Sequence, residues 1–160
     1  MDILAHGLWS YIIFNTKRYW KWAVFWGIFP DLLGWGPYFI YRIIEGTPMG
    51  PPLPALIPHW SWTLYGISHS LIVFFILFGT SYYFLKSKTW PLLAWGIEIL
   101  MDIPLHRPDY LPTPYLWPVL PVESYAFPSA FGWHSLWSMT VNYSIIVFSL
   151  LIIAVKKYKK

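Results

Sequence analysis

Long apolar stretches with almost no charge are the feature that most constrains this chain. Of its 160 residues, 57% are hydrophobic and 22% aromatic, whereas only 11% are charged. A water-soluble domain of this length could not bury so much apolar surface. The same composition excludes intrinsic disorder and a nucleic-acid-binding arm, and the lack of cysteine excludes disulfides and thiolate metal sites. The sequence therefore predicts an all-α integral membrane protein with one domain over residues 1–160.

Five apolar segments are candidates for membrane helices. They cover residues 3–16, 19–44, 62–85, 90–106 and 133–155. A spanning helix needs about 20 residues, so the third and fifth segments are long enough and the first and fourth are short. The second contains Pro30-Asp31, Gly34, Gly36 and Pro37, where we expect the helix to be interrupted. These segments predict a polytopic bundle of about five helices with partly broken or short spans.

Two connections are rich in proline and aromatic residues. Residues 45–61 and 107–132 together hold eleven of the fifteen prolines. Proline-rich segments of this kind are stiff and non-helical, and their aromatic side chains suit a membrane interface. We expect both loops to lie at the same membrane surface.

The basic residues predict an orientation. Nine of the eleven fall on one side if the five segments alternate across the membrane, and only Arg42 and Arg107 fall on the other. The nine are Lys17, Arg18, Lys21, Lys86, Lys88, Lys156, Lys157, Lys159 and Lys160. By the positive-inside rule, the C-terminus is cytoplasmic, and the N-terminus and both proline-rich loops face outward. The four C-terminal lysines are interpreted as a membrane anchor and not as a nucleic-acid patch.

Six ionisable residues within the apolar segments are the main functional candidates, because charge within a membrane is costly. They are His6, Asp31, His69, Glu98, Asp102 and His106. Counted from the basic residues of their own segments, they lie roughly 15–27 Å above the cytoplasmic side at the rise of a helix. They therefore share one band, from the middle of the membrane to its outer edge.

Glu98, Asp102 and His106 are spaced four residues apart, which places them on one stripe of a helix. Two carboxylates one turn apart repel each other in a membrane unless a cation, a proton or a basic partner compensates them. Carboxylate and imidazole ligands together suit zinc, manganese or iron. The six candidates are enough for one ion, or for two ions that share a bridging carboxylate and activate water.

Structural roles are open for several of these residues. His69 could hydrogen-bond a neighbouring helix, and Asp31 could cap a broken helix. His59 lies in a proline-rich loop and is interpreted as interfacial. His134, at the start of the fifth segment, could be a further ligand, a substrate-binding residue or an interfacial one.

Several short motifs resemble the membrane-bound metal-dependent hydrolases, the family that includes the LexA-regulated inner-membrane proteins. The motifs are MDILAH at 1–6, GIFPD at 27–31, SHS at 68–70, GIEILMD at 96–102, DIPLH at 102–106 and PTPYLWP at 112–118. The resemblance covers about the first 120 residues in order. It implies a small helical protein of the inner membrane with metal ligands at His6, Asp31, His69, Asp102 and His106. This chain has Glu98 where the family usually has a histidine.

The residues and the resemblance together predict a metal-dependent hydrolase, with zinc as the first choice of metal. We expect it to cleave a phosphoester or ester bond of a lipid or lipid-linked substrate. Glu98 and Asp102 are the catalytic candidates, and Glu98 is either a sixth ligand or the general base. Arg107 could hold a phosphate, with His134 nearby. The alternatives are a cation or proton transporter and a non-catalytic scaffold with a structural metal.

Overall fold

A computed structural model describes residues 1–48, 50, 52–107, 110–120 and 135–159. In these ranges the chain forms six α-helices and two 3₁₀ helices, and no strand. The α-helices are α1 (Ile3–Phe14), α2 (Trp20–Ile44), α3 (His59–Ser68), α4 (Leu71–Leu85), α5 (Leu93–Asp102) and α6 (Leu136–Tyr158). The 3₁₀ helices are Pro54–Leu56 and Lys86–Leu92. The predicted all-α class is confirmed for this part of the chain.

Helix α2 runs without interruption for 25 residues, so the predicted break at Pro30-Asp31 and Pro37 is wrong. A proline inside a helix removes one hydrogen bond, but close packing can offset that loss. Pro30 is fully buried. Gly27 packs against Ser10 of α1, and Gly34 packs against α3. Neighbouring helices on both sides therefore support a continuous α2.

The third apolar segment is the one that breaks, between α3 and α4. The side chain of Ser70 caps α4 by accepting hydrogen bonds from the backbone of Ile72 and Val73. Its hydroxyl also donates to the Trp117 carbonyl at 2.6 Å, and the Leu71 N–H donates to the Tyr115 carbonyl at 2.9 Å. Because carbonyl groups of the proline-rich loop accept these hydrogen bonds from Ser70 and Leu71, a non-helical turn is stable in a buried position.

The two ends of the bundle differ in character. At one end, Lys157 of α6 donates to the Tyr11 hydroxyl at 3.0 Å, and Phe14 packs against Trp90 at 5.3 Å. These contacts bring the basic turn after α1, the basic 3₁₀ helix and the lysines of α6 together. At the other end, the Tyr110 hydroxyl donates to the Pro52 carbonyl at 3.2 Å, which joins the two proline-rich loops.

Among the described residues, two helical stretches are long and apolar enough to cross a membrane by length and composition: Leu71–Asp102 and Leu136–Tyr158. The first is not one straight helix. Its backbone turns at Lys86, where φ is 51°, and Phe74 of α4 then packs against Trp95 of α5. Most side chains of α4 and α6 are exposed, and these include large apolar ones such as Phe75 and Phe148.

The tight contact between α1 and α2 can be tested with alanine substitutions at two glycines of α2. A Cβ at Gly27 would lie 2.9 Å from the Cβ of Ser10, whereas a Cβ at Gly36 would meet no atom within 4 Å. We expect Gly27→Ala to lower the free energy of unfolding by about 1–3 kcal/mol through overpacking. Gly36→Ala should leave it unchanged or raise it, since alanine favours the helix by up to about 1 kcal/mol. Thermal unfolding in detergent measures both, and equal effects would contradict this packing.

Candidate metal centre

The six predicted ionisable residues meet in one buried cluster. His6 comes from α1, Asp31 from the middle of α2, His69 from the break after α3, and Glu98 and Asp102 from α5. His106 follows the end of α5, in a turn closed by a 3.0 Å hydrogen bond from its N–H to the Asp102 carbonyl. Five of the six residues are at most 7% exposed. The Asp31 side chain is the most open, at 12%.

The side-chain nitrogen and oxygen atoms of the cluster lie within metal-ligand range of one another. Asp31, His69, Glu98 and Asp102 each offer one ligand atom, and these four atoms lie within 4.8 Å of one another. The two other histidines adjoin them. His6 Nε2 lies 3.1 Å from Asp102 Oδ1, and His106 Nε2 lies 3.4 Å from Asp102 Oδ2.

Several of these atoms are buried without a hydrogen-bond partner among the described residues. They are both ring nitrogens of His6, Nε2 of His69, both carboxylate oxygens of Glu98 and Oδ2 of Asp102. Nε2 of His6 and Nε2 of His69 lie 3–4 Å from oxygens of Glu98 and Asp102 without the alignment of a hydrogen bond, so these atoms face a shared space. Unpaired buried polar atoms are rare and costly, and an ion that these atoms coordinate would remove the cost. The imidazole and carboxylate set therefore fits a divalent metal ion.

A hydrogen bond outside the cluster orients His69. The Ser68 hydroxyl donates to the Tyr65 carbonyl at 3.2 Å and lies 2.8 Å from His69 Nδ1. Because that hydroxyl has only one proton to donate, we assign the proton between the two side chains to His69 Nδ1. The lone pair of His69 Nε2 then faces the carboxylates, as a metal ligand requires.

Tyr65 provides the equivalent contact for His106. Its hydroxyl lies 3.0 Å from His106 Nδ1, so Nε2 is the ring nitrogen that faces Asp102. Sequence reasoning did not identify Tyr65 or Ser68. The feature of the sequence that could have indicated them is their position in the helical turn directly before His69.

The backbone nitrogen of Met1 is a further neighbour that sequence reasoning missed. It contacts Asp102 Oδ1 and lies 3.1 Å from His106 Nε2. Met1 is buried within the bundle. The start of α1 at Ile3, one turn before His6, accounts for this contact.

The remaining predicted site residues lie outside the cluster. Arg107 directly follows His106 and is exposed. His59 is the first residue of α3 and is exposed, about 15 Å along that helix from His69. His134 lies outside the described residues.

Comparison with models of protein families, with curated proteins and with solved structures finds no match to this chain. The resemblance to metal-dependent hydrolases therefore stays a prediction from short sequence motifs. Any conclusion about function depends on the chemistry of the cluster itself.

The orienting role of Ser68 predicts a loss of metal affinity in Ser68→Ala. Removing the partner of His69 Nδ1 frees the ring to rotate, and losing such a contact typically weakens metal binding about 10–100-fold. Competition with a chromogenic chelator measures this affinity in detergent. Ser144→Ala, which removes an exposed hydroxyl on α6, is the matched control and should bind metal like the wild type. Unchanged affinity in Ser68→Ala would show that the contact does not orient a ligand.

Proposed function

We propose that this protein is a membrane enzyme that hydrolyses a phosphoester or ester bond with the help of a divalent metal ion. The observation that carries this proposal is the convergence of three histidines and three carboxylates, of which His6, His69, Glu98 and Asp102 have buried atoms without hydrogen-bond partners among the described residues. Zinc is the first candidate, and manganese or iron would also suit these ligands.

His6, Asp31, His69, Asp102 and His106 would hold the metal in this proposal. A bound divalent ion polarises a phosphoryl or carbonyl oxygen and makes water a better nucleophile at neutral pH. Glu98 would accept the proton of the attacking water or serve as a sixth ligand, since Oε1 lies 3.2 Å from His69 Nε2 while Oε2 has no partner among the described residues.

The position of Arg107 next to His106 supports a substrate with a phosphate group. Asp31 is the member of the cluster that is most open, so water and substrate would enter past it. Arg107 adjoins His106 in sequence and could bind a phosphate group through two parallel hydrogen bonds. The exposed apolar surfaces of α4 and α6 would contact lipid, which makes a lipid or lipid-linked molecule the substrate class we favour.

We expect metal-dependent hydrolysis by the purified protein, tested on phospholipids and on simple phosphate and carboxylate esters. Glu98→Gln should lower the rate about 10²–10⁴-fold if Glu98 is the general base. Asp102→Asn should lose bound metal, as elemental analysis would show. Glu45→Gln, an acid-to-amide change at the exposed end of α2, should retain both metal and activity.

Two results would contradict the proposed function. A wild-type protein without metal after supplementation with zinc, manganese and iron would remove its basis. Metal retention in Asp102→Asn would show that the ligands have been wrongly assigned.

We also propose that the chain is a multi-pass protein of the cell (inner) membrane with a cytoplasmic C-terminus. Its support is the gathering of basic groups at one end of the bundle, opposite the proline-rich loops. The positive-inside rule places that end in the cytoplasm, and the metal cluster then opens toward the outer face.

Reporter fusions test this orientation. A fluorescent protein fused after Lys160 should fold in the cytoplasm and fluoresce, whereas alkaline phosphatase at the same position should stay inactive. Replacing Lys17 and Arg18, in the turn between α1 and α2, and Lys21, in the first turn of α2, by glutamine should weaken this bias. An active C-terminal phosphatase fusion in the unaltered chain would contradict the orientation.

A structural metal is the second candidate, because five of the six residues are almost fully buried and the six together join α1, α2, α3 and α5. A closed metal site of this kind stabilises a fold without catalysing a reaction. In that case chelation would lower the unfolding temperature, and no tested ester would be hydrolysed. The enzyme proposal requires hydrolysis that disappears on chelation and returns with metal.

A further inference from the structure

We infer that the cluster holds two divalent ions, with Asp31 and Asp102 as the carboxylates that bridge them. This inference rests on the proposed metal-dependent function and specifies its site. Its basis is the way in which each aspartate presents its two oxygens to different histidines.

Asp31 lies between His6 and His69. Its Oδ2 is 3.9 Å from His6 Nε2, and its Oδ1 is 3.6 Å from His69 Nε2. A carboxylate bound to a single ion needs only one of these directions. A bridging carboxylate presents one oxygen to each of two ions, so its two oxygens face two different sets of ligands, as those of Asp31 do.

Asp102 repeats this arrangement from α5. Its Oδ1 lies 3.1 Å from His6 Nε2, while its Oδ2 lies 3.4 Å from His106 Nε2 and 4.0 Å from His69 Nε2. Both aspartates therefore turn one oxygen toward His6 and the other toward His69. This defines one ion position beside His6 and a second beside His69 and His106.

Glu98 belongs mainly to the second position. Its Oε1 is 3.2 Å from His69 Nε2 but 3.9 Å from His6 Nε2. The position beside His69 thus has two imidazoles and the closer approach of Glu98, in addition to the bridging aspartates. The position beside His6 has one imidazole and the same two aspartates, so we expect it to bind its ion more weakly.

The number of ligands exceeds what one ion uses. Zinc in proteins is usually four-coordinate, whereas six side chains meet here. With one four-coordinate ion, two of the six side chains would form no bond to it, and buried polar atoms that stay unpaired are costly. Two ions would use all six side chains.

The charges of the cluster also favour two ions. Three ionised carboxylates and one divalent ion leave a net negative charge in a buried site, which would repel an anionic substrate. A second divalent ion makes the net charge positive. A positive site attracts a phosphate ester and stabilises negative charge that develops during hydrolysis.

The nitrogen of Met1 provides the competing arrangement, since it contacts Asp102 Oδ1 on the side that faces His6. A nitrogen that stays in contact with Asp102 there would take the place of the second ion. The two arrangements differ in the number of metal ions per chain, which can be measured directly.

The test is a titration of the metal-free protein in detergent with zinc, followed by elemental analysis after removal of free metal. Two ions per chain are expected, with the second bound more weakly. Manganese-loaded protein should give the electron paramagnetic resonance signal of a spin-coupled pair, because carboxylate-bridged ions lie roughly 3.5–4 Å apart. This spectrum needs no variant, so it does not depend on how well a variant folds.

Variants locate each ion. His6→Gln should reduce binding to one ion and abolish the coupled signal, while the remaining ion keeps nearly wild-type affinity. Asp31→Asn should weaken both ions. His59→Gln, which changes an exposed histidine outside the cluster, should bind two ions, and the unfolding temperature of each variant checks its folding.

The outcomes separate this inference from the proposed function. One ion per chain, or two ions without spin coupling, would overturn the bridged pair while leaving metal-dependent hydrolysis intact. A protein that binds no metal would overturn both. Two coupled ions, reduced to one by His6→Gln, would establish the bridged pair.

Discussion

The burial of three carboxylates inside an apolar helical bundle is the constraint on which the rest of this structure depends. Asp31, Glu98 and Asp102 lie together with little access to water, where an uncompensated charge is strongly destabilising. Three histidines surround them, but several of the buried nitrogen and oxygen atoms remain without hydrogen-bond partners among the described residues. The bundle is therefore organised around a site that a cation would complete.

The helices bring these side chains together at one level of the bundle. α1 begins just before His6, α3 ends at His69, and α5 ends at Asp102. Of the four helices that contribute to the cluster, α2 is the one that continues well past it on both sides. The three shorter helices begin or end close to the cluster. The break between α3 and α4 is possible because loop carbonyls accept hydrogen bonds from Ser70 and Leu71.

The contacts around the cluster give its histidines different roles. Ser68 and Tyr65 hold the outer nitrogens of His69 and His106, so both rings are fixed before any ion binds. His6 has no such contact among the described residues, and both of its nitrogens lack partners. A site with one firmly oriented side and one less constrained side suits two ions of unequal affinity.

The sequence by itself determined the helical class, the two ends of different charge and the shared level of six ionisable residues along their helices. These follow from composition, spacing and the constant rise of a helix, which are local properties. Only the tertiary structure decided that α2 continues through Pro30, that the chain breaks at His69, and that Met1 reaches Asp102. Each of these depends on contacts between residues far apart in the chain, such as Gly27 with Ser10 and Ser70 with Trp117. Local patterns in the sequence do not predict such contacts.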